Sequence, residues 1–284
     1  MNARYTPHSR ESRAVGVRLL NLTSGYDDLL VPRGLGVAAL GALGLVARGR
    51  SLLRIVHLIA DTGDAASASL AVRALTESVL TLAWLNKDPE LAEAVWMLDS
   101  IRTSLSHHKE VADEERRQRA SARRRGEVVA QLLPGQSFGL LSRAEVRRRK
   151  LIQQQQRERV EGLPRLSPRK NKLRVTRIGH MPGFHDRAEV AGMPWVYSLA
   201  YRFDSNAGAH PTPLAIGQFL EERADGIAVQ SYARGPRPDP YYVAAQLFAV
   251  LVELAGDRVD QTALEPGLAE LREDLELLRA LGAS

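Results

Sequence analysis

The sequence predicts an all-α protein: a helical bundle interrupted by a long, basic central insertion. Three observations carry that reading. Apolar residues recur at helical spacing in long segments bounded by proline, glycine or capping residues. No run shows the apolar–polar alternation of a half-buried strand. The positive charge is concentrated in one stretch. Lys109 to Arg177 holds 20 Lys and Arg against 8 Asp and Glu, although the whole 284-residue chain has a net charge of only +6.

The first periodic stretch is Leu35 to Ala60, where Arg50, Arg54, His57 and Asp61 form one polar stripe among apolar residues. "DTGD" ends it with a cap and a glycine turn. A second helix follows in "AASASLAVRALTESVLTLAWLNKD", rich in alanine and leucine. Pro89 opens a third, long helix. "LPGQSFG" is a turn, and Ser142 with Glu145 opens a polar helical arm through "LSRAEVRRRKLIQQQQRERVEG". The stretch "LPRLSPRKNKLRVTRIGHMPGFHD" is broken by proline and glycine and reads as a loop or mobile linker. A helix resumes from Glu189 through "WVYSLAYRFDSN". Pro240 starts a core helix that is apolar nearly all round. Leu268, Leu271, Leu275 and Leu278 share one face of an amphipathic closing helix. These readings divide the chain into residues 1–108 and 184–284, two halves of one bundle, and 109–183, a basic arm or linker.

Composition excludes several classes. There is no cysteine, so disulfides, thiolate chemistry and cysteine-ligated zinc are ruled out. The N-terminal basic residues are not followed by an apolar segment of the signal-peptide kind. The run Gly34 to Ala47 is shorter than the roughly 20 residues a membrane helix needs. A cytoplasmic protein without a membrane partner is expected. "HMPGFHD", with His180, His185 and Asp186, lies in a loop without fixed geometry, and "GLGVAALG" lacks dinucleotide-fingerprint spacing. Neither a metal nor another cofactor is expected.

The residues that can carry chemistry fall into two groups. Arg73 and Glu77 in "VRALTES" stand at i and i+4, as a surface pair or as part of a buried network. "YRFDSNAGAHPTP" gathers Tyr201, Arg202, Ser205 and His210 at a helix end broken by Gly208. These six residues form the candidate catalytic set; as an alternative Asp204, Ser205 and Asn206 satisfy backbone groups and His210 caps a carbonyl. Arg102 with His107 or His108 is a competing pair. The second group is basic: Arg123, Arg124 and Arg125, then Arg147, Arg148, Arg149 and Lys150, then Arg169, Lys170 and Lys172. With Phe138 the one aromatic between Lys109 and Arg177, contact with phosphate is favoured over base stacking, and the alternative is a solvated charged arm.

"VRALTES" and the later "YSLAYRFDSNAGAHPTP" together resemble the DUF5677 group of uncharacterised bacterial helical proteins, over Leu52 to Asn86 and Trp195 to Pro213. A weaker likeness is to HEPN-type helical ribonucleases, whose arginine and histidine are separated by four to six residues. "RTSLSH" keeps that spacing, whereas Arg202 and His210 have seven residues between them and depart from it. The HEPN likeness implies metal-independent RNA cleavage of the toxin or phage-defence type. Histidine would act as general acid–base and arginine would stabilise phosphorane charge. It also implies RNA rather than DNA as partner, and a homodimer. A non-catalytic interaction module that binds nucleic acid or an acidic protein partner is the other expectation.

Overall fold

The computed structural model describes residues 9–26, 36–61, 65–125, 141–198, 220–223, 226–229, 239–261 and 264–281. The fold is all-α, as expected. The chain divides into two compact units, residues 1–87 with 183–284, and residues 88–182.

In the first unit, α1 (Ser9–Leu22) buries Ser12, Val15, Gly16 and Leu19, an i, i+3, i+4, i+7 stripe. This helix was not foreseen. α2 (Val37–Ala60) and α3 (Ala65–Leu85) follow as an antiparallel pair. A 19-residue stretch of α3, Ser67–Leu85, is long and apolar enough to cross a membrane, yet 78 % of it is buried in the protein, as in a core helix. α9 (Pro240–Gly256) packs against α1, α2 and α3, and Asp239 caps it by accepting from the Tyr241 amide at 3.0 Å. α10 (Glu265–Ala280) closes the unit with Leu268, Leu271, Leu275 and Leu278 buried, as its periodicity requires.

Between α3 and α9 in this unit stand α7 (Phe184–Ala191) and a single turn, α8 (Pro194–Val196). The helix expected from Glu189 therefore begins five residues earlier. It is interrupted at Gly192, whose φ of 75° is the left-handed C-terminal geometry that glycine tolerates. Strands β1 (Leu220–Arg223) and β2 (Gly226–Val229) form an antiparallel hairpin with Arg223 opposite Gly226. Four-residue strands are too short to show a period, so alternation missed them.

The second unit is built on α4 (Pro89–Arg124) and α5 (Arg143–Glu161). Asp88 caps α4 ahead of Pro89, and Ser142 caps α5 by accepting from the Glu145 amide at 3.1 Å. The two helices run antiparallel. The Leu141 amide donates to His108 Nδ1 at 3.1 Å, and further along α5 Arg149 donates to Ser104, earlier on α4. From Lys109 onward α4 continues past the start of α5 for about 24 Å.

The mobile linker expected after Gly162 is instead packed structure. It contains α6 (Leu166–Lys172), and Leu163, Leu173 and Val175 are buried. Pro168 sits in the first turn of α6, where a missing N–H costs nothing, so proline there does not break the helix.

Candidate functional site

Two polar arrangements lie in the bundle unit and one charged face in the helical-hairpin unit. The first joins α1, α2 and α9. Arg13 donates to both oxygens of Asp61, from Nε at 2.9 Å and from Nη2 at 2.8 Å, and the Tyr241 hydroxyl donates to Oδ1 at 2.5 Å. These donors hold the Asp61 carboxyl at a pKa of about 2; the Arg13 hydrogen bonds are the main cause, working against the cost of burial. One helical turn earlier, His57 is 7 % exposed and meets the Tyr241 ring edge-on at 5.2 Å. Its Nε2 has no hydrogen-bond partner and lies against the backbone of Gly16. Burial, reinforced by the Arg13 charge, pushes the His57 imidazole below its ordinary pKa, so it is neutral at pH 7.

No substrate atom can approach a nitrogen packed against a helix backbone, and the Asp61 carboxylate already accepts three bonds. We therefore read this cluster as a clamp that ties α1 and α9 to the end of α2. Arg50, 2 % exposed, extends it by donating to the Leu20 carbonyl at 2.5 Å and to Thr23 Oγ1 at 2.6 Å, closing the end of α1. The sequence stripe named the α2 residues but read them as one polar face; the structure splits it, with Arg50 and His57 turned inward and Arg54 and Asp61 exposed. Arg13 and Tyr241 were missed, because nothing local marks partners so distant in sequence.

The second arrangement lies where α7 covers α3. Arg73 Nε and Glu77 Oε1 are 3.5 Å apart, with side chains 23 % and 26 % exposed, between the surface and buried alternatives. One turn further, Thr81 accepts from Arg187 Nη1 at 2.8 Å and donates to the Glu77 carbonyl at 2.6 Å. The Arg187 guanidinium stacks 3.8 Å over the Phe184 ring. Tyr201, Arg202, Ser205 and His210 lie outside the described residues.

The competing pair is not brought together. Arg102 donates to Asp99 at 2.8 Å and to the Gly179 carbonyl at 3.2 Å, His107 is exposed, and His108 accepts from Leu141. His185 meets Tyr197 edge-on and belongs to the first turn of α7, so the expected formless loop is helical there. Among the described residues no three His, Cys, Asp or Glu side chains are grouped to hold a metal ion.

The basic residues separate into two kinds. On α4, Arg116, Arg117 and Arg119 are each paired with an acid three or four residues earlier: Asp113, Glu114 and Glu115. On α5, Glu145 pairs with Arg149 at 2.9 Å and lies 3.8 Å from Arg148. By contrast Arg143, Arg147, Lys150 and Arg157 fall at spacings of four, three and seven on one exposed face. None has an acidic partner among the described residues. That stripe is about 21 Å long. Arg123 and Arg124 are likewise exposed without an acidic partner, and Arg125, also exposed, follows them at the end of α4.

Arg169 is committed elsewhere. It forks onto Asp88 at 2.8 and 2.5 Å and reaches Glu90 at 3.3 Å, while Lys170 is half-buried and Lys172 exposed. Of the stripe, Arg143 and Arg157 were overlooked, because attention to runs of charge passes over isolated arginines on the same face.

Fold and site together define an all-α protein with two units: a helical bundle, and a basic helical hairpin inserted in sequence between the segments that form it. The sequence model of a family of unknown function, DUF5677, matches residues 40–227, and the chain belongs to that family. The matched region takes in α3, α7 and the whole basic hairpin; α1, α9 and α10 lie outside it. No curated protein and no solved structure matches the chain.

Proposed function

We propose that the protein binds nucleic acid through its phosphate backbone, RNA in preference to DNA, using the outward face of α5 and the end of α4. The observation that carries the reading is the stripe Arg143, Arg147, Lys150 and Arg157, left without acids on a chain that neutralises Arg116, Arg117 and Arg119 locally. Uncompensated cations in a row release counterions when they meet phosphates, and that gain is independent of sequence. With about four phosphates neutralised, affinity falls about 50-fold for a single strand and about 150-fold for B-DNA between 50 and 200 mM salt. The test is anisotropy titration of labelled RNA and DNA. Arg147→Glu with Lys150→Glu should weaken binding at least tenfold and flatten the salt dependence. Unchanged affinity would refute this interface.

Cleavage is the second reading, a metal-independent, HEPN-like ribonuclease of the toxin or phage-defence type in the cytoplasm. It is favoured by the half-buried Arg73–Glu77 pair on the α3 face that α7 covers; in sequence, Arg202 and His210 follow the end of α7 by 11 and 19 residues. It requires RNA cuts in the presence of EDTA that disappear in His210→Ala. Binding without such cuts leaves a non-catalytic nucleic-acid module.

A further inference from the structure

Residues 109–122 of α4 carry no net charge: four basic side chains stand among four acidic ones, and Arg116, Arg117 and Arg119 each pair with an acid on the preceding turn. The net positive charge of the helical hairpin therefore falls into two patches. One is the α5 stripe from Arg143 to Arg157. The other is the end of α4, where Arg123, Arg124 and Arg125 are consecutive and exposed. At about 100° per residue, those three arginines cover some 200° of the helix circumference.

The antiparallel pairing sets the distance between the patches. Leu141, just ahead of α5, lies beside His108 of α4. At about 1.5 Å per residue, Arg124 stands about 27 Å from Arg143 along the hairpin axis and about 48 Å from Arg157. Neither α5 nor the part of α4 beyond Trp96 holds a Phe, Tyr or Trp. A single strand is held by a continuous basic groove with aromatic rings on which its bases stack. Two patches with a neutral interval and no rings suit a different partner, a rigid rod whose phosphates recur at intervals along one side. A double helix is such a rod: its backbones cross one side repeatedly, and over the groove between crossings no cation is needed.

We propose that the hairpin unit takes a double helix lengthwise, with the α5 stripe on one backbone crossing and Arg123 to Arg125 on another. The inference rests on the phosphate-binding, RNA-preferring reading above and adds the form of the nucleic acid. The span of about 48 Å is close to that of about 16 bp of A-form duplex, over which double-stranded-RNA modules meet two successive minor grooves. Engaging the second patch raises the phosphates neutralised from about four to about six. On the duplex slope, the loss of affinity between 50 and 200 mM salt then grows from about 150-fold to more than about 1,000-fold.

The test compares anisotropy titrations of a 20-bp RNA duplex, a GC-rich 8-bp RNA duplex and a 40-nucleotide RNA without self-complementarity, which matches the long duplex in phosphate count. The long duplex should bind at least tenfold more tightly than either of the others. Arg123→Glu with Arg124→Glu should weaken the long duplex at least tenfold and leave the 8-bp duplex, too short to reach both patches, within about twofold. Both side chains are exposed, so circular dichroism should not change. A single strand bound as tightly as the long duplex overturns the inference while the phosphate-binding reading stands. So does a long duplex indifferent to the α4 variant. A 20-bp DNA duplex that equals the RNA one refutes the preference for RNA and still supports lengthwise binding of a double helix. Failure of all the ligands to bind refutes both readings.

Discussion

His57 occupies a position where a proton has no place to go. Its Nε2 faces Gly16 without an acceptor, and the Arg13 guanidinium and Asp61 carboxylate lie beside it. Because the folded imidazole titrates below its ordinary value of about 6.5, the unfolded chain binds the proton first. Stability is therefore complete above pH 6.5 and declines as pH falls below it. Denaturant unfolding at pH 7.5 and 5.5 should show that loss, and His57→Phe should remove it. Asp61 acts in a lower window: its contribution is held above pH 3.8 and lost as pH approaches 2. Gly16 is the steric partner. A Cβ there would lie 2.3 Å from His57 Nε2, so Gly16→Ala should cost about 1–3 kcal/mol of overpacking, offset by up to about 1 kcal/mol of helix propensity. In a His57→Ala background the cost should vanish. A cost that persists there would mean the glycine is needed for another reason.

At the level of elements, the start of α4 depends on one carboxylate. Asp88 caps the helix and takes the Arg169 fork from α6, and its pKa is lowered chiefly by the Arg169 hydrogen bonds. Asp88→Ala should lower stability by about 1–2 kcal/mol in urea unfolding, the cap supplying about 1 kcal/mol. Asp88→Asn keeps a cap and should recover only that share; full recovery would leave the Arg169 fork without effect. Elements such as α2 to α5 and α10 were legible because period and cap agree locally, as at Ser142–Glu145 and along Leu268 to Leu278. α6 was not, since what orders it is an arginine meeting an aspartate 81 residues earlier. The hairpin β1–β2 was too short to show alternation. The α2 stripe named Arg50, His57 and Asp61 without showing that the first two turn inward; their partners came from α1 and α9, whose contribution no local spacing announces.

The whole molecule separates its charge by unit. Residues 88–182 hold 21 Lys and Arg against 12 Asp and Glu, whereas the rest of the chain holds 18 against 21. A basic unit built from a long hairpin, with Val160 the one buried residue of α5, should open more readily than the bundle core. In hydrogen exchange, the α9 amides should be the slowest and those of α5 should exchange earlier, through partial opening. Bound RNA should slow the α5 amides and leave α9 unchanged. Equal slowing of both would count against an interface confined to α5.

The bundle is completed by a helix that arrives late. α9 supplies the packing partner of α1, α2 and α3, yet Pro240 leaves the ribosome long after Leu85. At about 5–20 residues per second the interval is roughly 8–30 seconds. Throughout it the faces of α2 and α3 that α9 covers stay open, while the self-contained second unit can already fold. Synthesis thus runs against spatial order, the insertion maturing before its host. Nascent chains halted before Pro240 should be strong chaperone clients and should lose that dependence once Gly256 has emerged.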